Sequence, residues 1–263
     1  DTQPTGGKYD GVLGTLAALE VVRTLNDADI ETDAPICIVN WTNEEGSRFA
    51  PATMASAAYA GEYTTDNILA RTDLAGISVG TALDEIGYRG SEAVGTRKLG
   101  AFVELHIEQG PLLEAENKVI GVVDRGQGIT WYDGKIIGFE SHAGTTPMPL
   151  RRDAMGALAE VALSVERIAK AHGPNAVGTL GEAVIASPSR NVIPGEIAFT
   201  MDVRSPDAQT LDAIDRDLRA ACAEIAQRRR VEITIDAIWR KPPTVFNTKL
   251  VDAVETAAKS LGY

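Results

Sequence analysis

The sequence predicts an α/β protein that carries a second, compact α+β segment, on three observations. An amphipathic helix pattern is followed by a short apolar run that ends abruptly in acidic residues. From about Gly128 the texture changes to strands alternating with two long helical patterns. Pro242-Pro243 then interrupts the chain before one more helical stretch. Helix followed by buried strand is the unit of α/β architecture, whereas a self-contained strand and helix alternation marks a separate layer.

The first element runs from Gly11 to Asn26, where Val12, Leu13, Leu16, Leu19, Val22 and Leu25 recur at steps of three and four behind Asp10. Pro35 precedes Ile36-Cys37-Ile38-Val39, a run suited to a buried strand, and Asn43-Glu44-Glu45-Gly46 lies beyond its end. A second strand is expected over Phe102 to Gln109, with Phe102, Glu104, His106 and Glu108 on one face. Strands are then expected at 129–139, 196–203 and 231–238, with helices at 151–171 and 207–230. The helix at 248–261 is assigned back to the first domain. The domain reading is therefore 1–127 and 239–263 together, with 128–238 inserted between them.

Charge and composition exclude some functions. With 25 basic and 37 acidic side chains the net charge is −12, spread along the chain, which argues against nucleic acid as a partner. The one basic run, Arg228 to Arg230, reads as a solvated helix end. No stretch reaches the roughly 18 uninterrupted apolar residues of a membrane span. Cys37 and Cys222 have no CxxC spacing, so a disulfide framework is not expected and a reducing cytoplasm fits.

Three acidic positions and one histidine invite a chemical reading, and each has an ordinary alternative. Asp10 starts a helix and would serve as its N-cap. Adjacent Glu44 and Glu45 would suit a solvated loop, yet ligands of open α/β sheets collect at the carboxyl ends of strands, where this pair is expected. His106 would more often be a satisfied core histidine. Together, Asp10, Glu45 and His106 supply donors suited to zinc or manganese, and Glu44 a carboxylate able to take a proton from water. The spacing has no compact metal signature, so this remains a metal-site expectation.

Five segments, DTQPTGGKYDGVLG, TNEEGSRF, ELHIEQGP, SHAGTTPMPLRRDA and SRNVIPGEIAFTMDVRSPD, resemble the family of N-carbamoyl-L-amino-acid hydrolases, β-ureidopropionases and allantoate amidohydrolases. The resemblance covers essentially the whole chain. It implies a zinc-peptidase-like catalytic domain with an inserted ferredoxin-like lid and dimerisation domain. It also implies two divalent ions, zinc or manganese with cobalt or nickel as alternatives, with Asp10 bridging, Glu45 on one ion and His106 on the other. Glu44 would be the general base and Asp1 a supporting residue behind the ions. His142 would polarise the scissile carbonyl from the partner subunit of a homodimer; Arg204 and Asn191 would bind the substrate carboxylate, and Gln109 would be a further substrate contact. The implied reaction splits a ureido C–N bond of a small-molecule substrate to give an amino acid, carbon dioxide and ammonia. Allantoate, β-ureidopropionate or aminoacylase and dipeptidase chemistry are the alternatives.

The family pattern also has metal-binding histidines before Asp1 and near a C-terminal Gly-His-Asp, and neither is in this sequence. His172, ahead of Gly173 at a helix end, reads as a C-terminal cation rather than a replacement. This polypeptide is accordingly expected to bind metal weakly and to turn over little.

Overall fold

The computed structural model describes residues 5–263, so Asp1 lies outside the described residues. The chain divides into two compact units, residues 1–117 and 118–263.

The first unit contains α1 (Val12–Asp27), α2 (Met54–Ala60), α3 (Thr65–Leu69), α4 (Val79–Glu85) and α5 (Leu112–Ala115). Its core is small: Phe49, Met54, Ile68 and Val79 pack together with Tyr63 and Leu83 against them. Thr64 and Ser78 cap α3 and α4 by accepting the Asn67 and Thr81 amides, so these short helices start where the side-chain oxygens replace missing backbone acceptors. The helix expected from Gly11 is α1, although none of its residues is buried.

The buried strands expected at 36–39 and 102–109 do not form. Ile36, Ile38, Phe102, Val103 and Leu105 are exposed, and neither segment joins a ladder among the described residues. An apolar run becomes a strand only when neighbouring backbone satisfies its N–H and C=O groups.

The second unit contains β1 (Arg125–Gly126), β2 (Gly128–Ile137), β3 (Ser141–His142), α6 (Ala154–Ala171), β4 (Val177–Ile185), β5 (Val192–Ile193), β6 (Glu196–Ser205), α7 (Ala208–Arg229), β7 (Glu232–Lys241), β8 (Thr244–Val245) and α8 (Thr248–Ser260). Four strands form one antiparallel sheet in the order β4-β6-β2-β7. With α6 and α7 as crossovers this is a split βαββαβ arrangement of ferredoxin-like type. Strict alternation on β6 buries Ile197, Phe199, Met201 and Val203 toward the helices. Leu158, Val161, Val165 and Ile168 of α6, and Leu211, Ile214, Leu218 and Ile225 of α7, complete the core. Each such side chain contributes about 1.5–3 kcal/mol by leaving water. Among the described residues of this unit, α6 and α7 are the helices that pack on the sheet, and both lie on that one face.

Strand β4 escaped the sequence pattern because Gly178 and Gly181 dilute it and a bulge between Leu180 and Glu182 shifts its alternation. The arginine run at the end of α7 is also more than a solvated end. Arg228 and Arg229 both bind Glu160 of α6, with Arg228 Nη1 3.0 Å from Oε1 and Arg229 Nε 2.7 Å from it, while Arg230 in a left-handed C-cap donates to the Pro149 carbonyl. These hydrogen bonds hold the Glu160 carboxyl down at about 2, well below its ordinary 4.5. A depressed carboxyl stabilises the fold above its unfolded value, and the contribution fades as pH falls from about 4.5 toward 2. Glu160→Gln should therefore cost about 1–2 kcal/mol at neutral pH, after allowance for solvent screening. Urea unfolding at pH 6 and pH 3 checks this, because the gap between variant and wild type should narrow at the lower pH.

No described helix is long and apolar enough to cross a membrane.

Candidate active site

In the first unit, Asp10 is not a helix cap. Gly11 occupies the cap position of α1 and no side chain caps it. The Asp10 carboxylate instead meets residues about a hundred positions away: Gln109 Nε2 donates to Oδ2, and His106 Nε2 lies 3.5 Å from Oδ1. Gly14 permits the approach. A Cβ there would stand 2.7 Å from the Leu105 carbonyl oxygen, so only glycine lets α1 lie against the 104–105 backbone and carry Asp10 to His106. Gly14→Ala should push these segments apart, lowering stability by about 1–3 kcal/mol. It should also weaken zinc uptake, which isothermal titration of the two proteins would compare.

The His106 ring is held in one tautomer. Its Nδ1 lies 2.6 Å from the Ile107 carbonyl oxygen, which can only accept, so Nδ1 carries the proton and Nε2 of the neutral ring offers a lone pair. That is the state a metal-ligating imidazole needs, with its second nitrogen anchored to backbone. Two donors of one tetrahedral ion with bonds of about 2.1 Å sit roughly 3.4 Å apart, so Asp10 Oδ1 and His106 Nε2 suit a shared divalent ion. Among the described residues no set of three or more His, Cys, Asp or Glu side chains is arranged to hold a metal. Glu45 is thus not gathered with Asp10 and His106 into a three-donor set.

Glu44 and Glu45 sit on the tight loop 43–49. Asn43, with φ 52°, spans it by donating from Nδ2 to the Phe49 carbonyl at 2.7 Å. Gly46 has φ 72° and would place a Cβ 2.8 Å from the Ala52 nitrogen, so the turn after the two glutamates demands glycine. Burial pushes the Glu44 carboxyl up, and the charges of Glu45 and Glu104 push it further. A carboxylate raised this way is poised to accept a proton. Gln109 also has a positive φ of 55°, and such backbone is concentrated where side chains must be re-aimed. Glu108, on the expected polar face, supports the backbone instead, since its two oxygens accept the Leu112 and Leu113 amides at the start of α5.

In the second unit, β3 pairs with β5, with His142 opposite Val192, and the Ala143 amide donates to the Asn191 carbonyl at 2.8 Å. His142 and Asn191 are therefore neighbours. His142 Nδ1 accepts the Gly144 and Thr145 amides at 3.0 and 3.2 Å, so the proton of the neutral ring sits on Nε2. The two histidines are locked in opposite tautomers, with His106 Nε2 an acceptor and His142 Nε2 a donor. Such a donor suits an oxygen that gains negative charge. His172 ends α6 and places Nε2 2.7 Å from Asp217 of α7, a tie between the helices.

Arg204 is elsewhere. It stands opposite Ile129 on β6, whereas Glu196 at the other end of that strand pairs with Ile137, next to the β3 and β5 ladder. Eight residues of strand separate these ends by roughly 25 Å. Within one chain, then, Asn191 travels with His142 and not with Arg204. The guanidinium binds Asp202, with Nε 3.1 Å from both carboxylate oxygens and Nη2 2.7 Å from Oδ2.

Sequence reasoning passed over Glu104 and Asp202 as partners. Both shared a strand-period face with a chosen residue, which was the available signal. The Gly144 and Thr145 amides have no signal, since backbone donors are invisible in side-chain identity.

The sequence matches peptidase family M20/M25/M40 over residues 1–263. It is 49% identical over 263 residues to the N-carbamoyl-L-amino-acid amidohydrolase of Rhizobium meliloti, covering all of this chain and 63% of that protein. It is 36% identical over 269 residues to the N-carbamoyl-L-amino acid amidohydrolase of Geobacillus stearothermophilus, covering all of this chain and 65% of that one. The crystal structure of an amidase of the hydantoinase/carbamoylase family from Burkholderia multivorans superposes with a TM-score of 0.91 at 48% identity, over all of this chain and 64% of its own. The chain thus spans somewhat under two thirds of the length of these relatives.

Proposed function

The chain belongs to peptidase family M20/M25/M40, and on that premise we propose that the protein hydrolyses the ureido C–N bond of N-carbamoyl-L-amino acids. The products are the amino acid, carbon dioxide and ammonia. The observation that carries the reading is the long-range meeting of Asp10, His106 and Gln109, in a unit where Glu44 is a raised, half-buried acid. The substrate class rests on the likeness to the carbamoyl-amino-acid amidohydrolases.

In this reading Asp10 and His106, with Glu45 assigned by motif resemblance, would hold two divalent ions, zinc or manganese. When bound, the metal supplies positive charge that polarises the ureido carbonyl and acidifies water. Glu44 takes the proton of the attacking water and delivers it to the leaving nitrogen. His142 donates its Nε2 proton in a hydrogen bond to the carbonyl oxygen as that oxygen becomes negative. Arg204 binds the substrate carboxylate with its planar donor fork.

A ureido acid is far shorter than the roughly 25 Å between the two ends of the sheet. This separation supports the reading of a homodimer in which His142 and Asn191 serve the site of a second copy, with residues 128–238 as lid and dimerisation domain and 1–127 with 239–263 as catalytic domain. Unpaired Cys37 and Cys222 support a cytoplasmic setting.

The test is ammonia release by the full-length protein, loaded with zinc or manganese, from N-carbamoyl-L-amino acids, N-carbamoyl-β-alanine and allantoate, beside acetate release from N-acetyl-L-amino acids. Ammonia from the N-carbamoyl-α-amino acids is expected. Acetate release without ammonia would sink the carbamoyl reading in favour of an aminoacylase, and ammonia from allantoate or the β-compound alone would rename the substrate.

A further inference from the structure

The face of the four-stranded sheet opposite α6 and α7 carries an aromatic pair that the fold does not need. Alternation along β2 sends Gly128, Thr130, Tyr132, Gly134 and Ile136 to the buried side, which leaves Ile129 and Trp131 on the open one. Trp131 stands opposite Trp239, and their rings contact at a centroid distance of 4.6 Å and an angle of 54°. Neither indole belongs to the core under the helices, and both remain partly exposed.

On the neighbouring strand Asp202 lies opposite Trp131, and Arg204 opposite Ile129. The Asp202 carboxylate draws the Arg204 guanidinium along β6 toward the row of the indoles. Arg204 Nη1 has no acceptor among the described residues. Adjacent strands are about 4.8 Å apart, which matches the span from the carboxylate to the ring of an aromatic amino acid. Ile129 and Val177 flank Arg204 in its row and keep the floor apolar.

We propose that Trp131 and Trp239 form a side-chain subsite beside Arg204 that selects derivatives of aromatic amino acids. The ligand's carboxylate takes the open edge of the Arg204 guanidinium and its ring lies on the indoles. Asp202 is a positioning residue that aims the guanidinium. This rests on the proposed carboxylate role of Arg204 and extends it from the common part of the substrate to the variable part.

Titration calorimetry of the protein with N-carbamoyl-L-phenylalanine, N-acetyl-L-phenylalanine and N-carbamoyl-L-alanine tests it. Both phenylalanine probes should bind about tenfold tighter than the alanine probe, the size of one favourable aromatic contact. Trp239→Leu should abolish that preference and Trp239→Phe should retain most of it, while Arg204→Leu should weaken all three probes alike. Equal binding of the three probes, no binding of any, or a preference that survives Trp239→Leu overturns the subsite. Since the wild-type comparison needs no variant, a misfolded Trp239→Leu protein does not shelter the proposal. If the carbamoyl reading alone fails, the preference persists on both phenylalanine probes without ammonia release; if the subsite alone fails, ammonia is released with no aromatic preference.

Discussion

In the full-length protein, Glu44→Gln should lower the proposed turnover of N-carbamoyl-L-amino acids by about 10²- to 10⁴-fold, the usual worth of a positioned general base, while the protein stays folded. The neutral amide keeps the size of the side chain and loses only the ability to take a proton. Stability should move the other way. Ionised Glu44 is disfavoured by burial first and by the charges of Glu45 and Glu104 next, so the fold without added metal carries a cost at neutral pH that glutamine relieves. A gain of up to about 1 kcal/mol is expected, as when active-site strain is removed. Ammonia release and urea unfolding on the same preparations check both halves. Retained turnover would remove Glu44 from the chemistry, and a loss of stability would show that its charge is compensated in the fold.

Mixing two inactive variants should restore activity. In the full-length protein, His142→Ala and Arg204→Leu should each abolish the proposed turnover alone, one by removing the Nε2 donor and the other by removing the proposed carboxylate anchor. If each site takes Arg204 from one copy and His142 from the other, half of the dimers in an equal, re-equilibrated mixture are mixed. Each mixed dimer has one intact site, giving about a quarter of wild-type activity. The geometry behind this is the placement of the residues at opposite ends of β6 and β2. A mixture as inactive as its components, with subunit exchange verified by mass, would place both groups in one chain and would require the β3 and β5 ladder to fold back over the sheet.

The two histidines show how legible the site was before any fold was known. His106 stood out because a strand-period pattern put it between Glu104 and Glu108. The pattern said nothing of the Ile107 carbonyl that sets its tautomer, nor of Gln109 reaching Asp10. Asp10 itself read more readily as a helix cap, and only the observed Gly11 cap and the long-range contacts remove that reading. Asn191 and Arg204 had the same expected role, yet the register of β6 separates them. Glu45 keeps its proposed role on motif resemblance and not on a gathered set of donors.

The sequence by itself determined the local elements whose information is local. Helices α1, α6, α7 and α8 and strands β2, β6 and β7 follow from periodicity, and Asp153, Asp207 and Asn247 mark helix starts by capping them. Tertiary structure decided what depends on a partner distant in the chain. The apolar runs at 36–39 and 102–109 found no ladder and stayed out of strand, β4 was added to the sheet despite its glycines, and the arginine run became a clamp on Glu160. Periodicity states which face of an element is apolar, but a hydrogen-bond ladder, an ion pair or a tautomer is a property of two segments at once, and only the folded chain brings the second one.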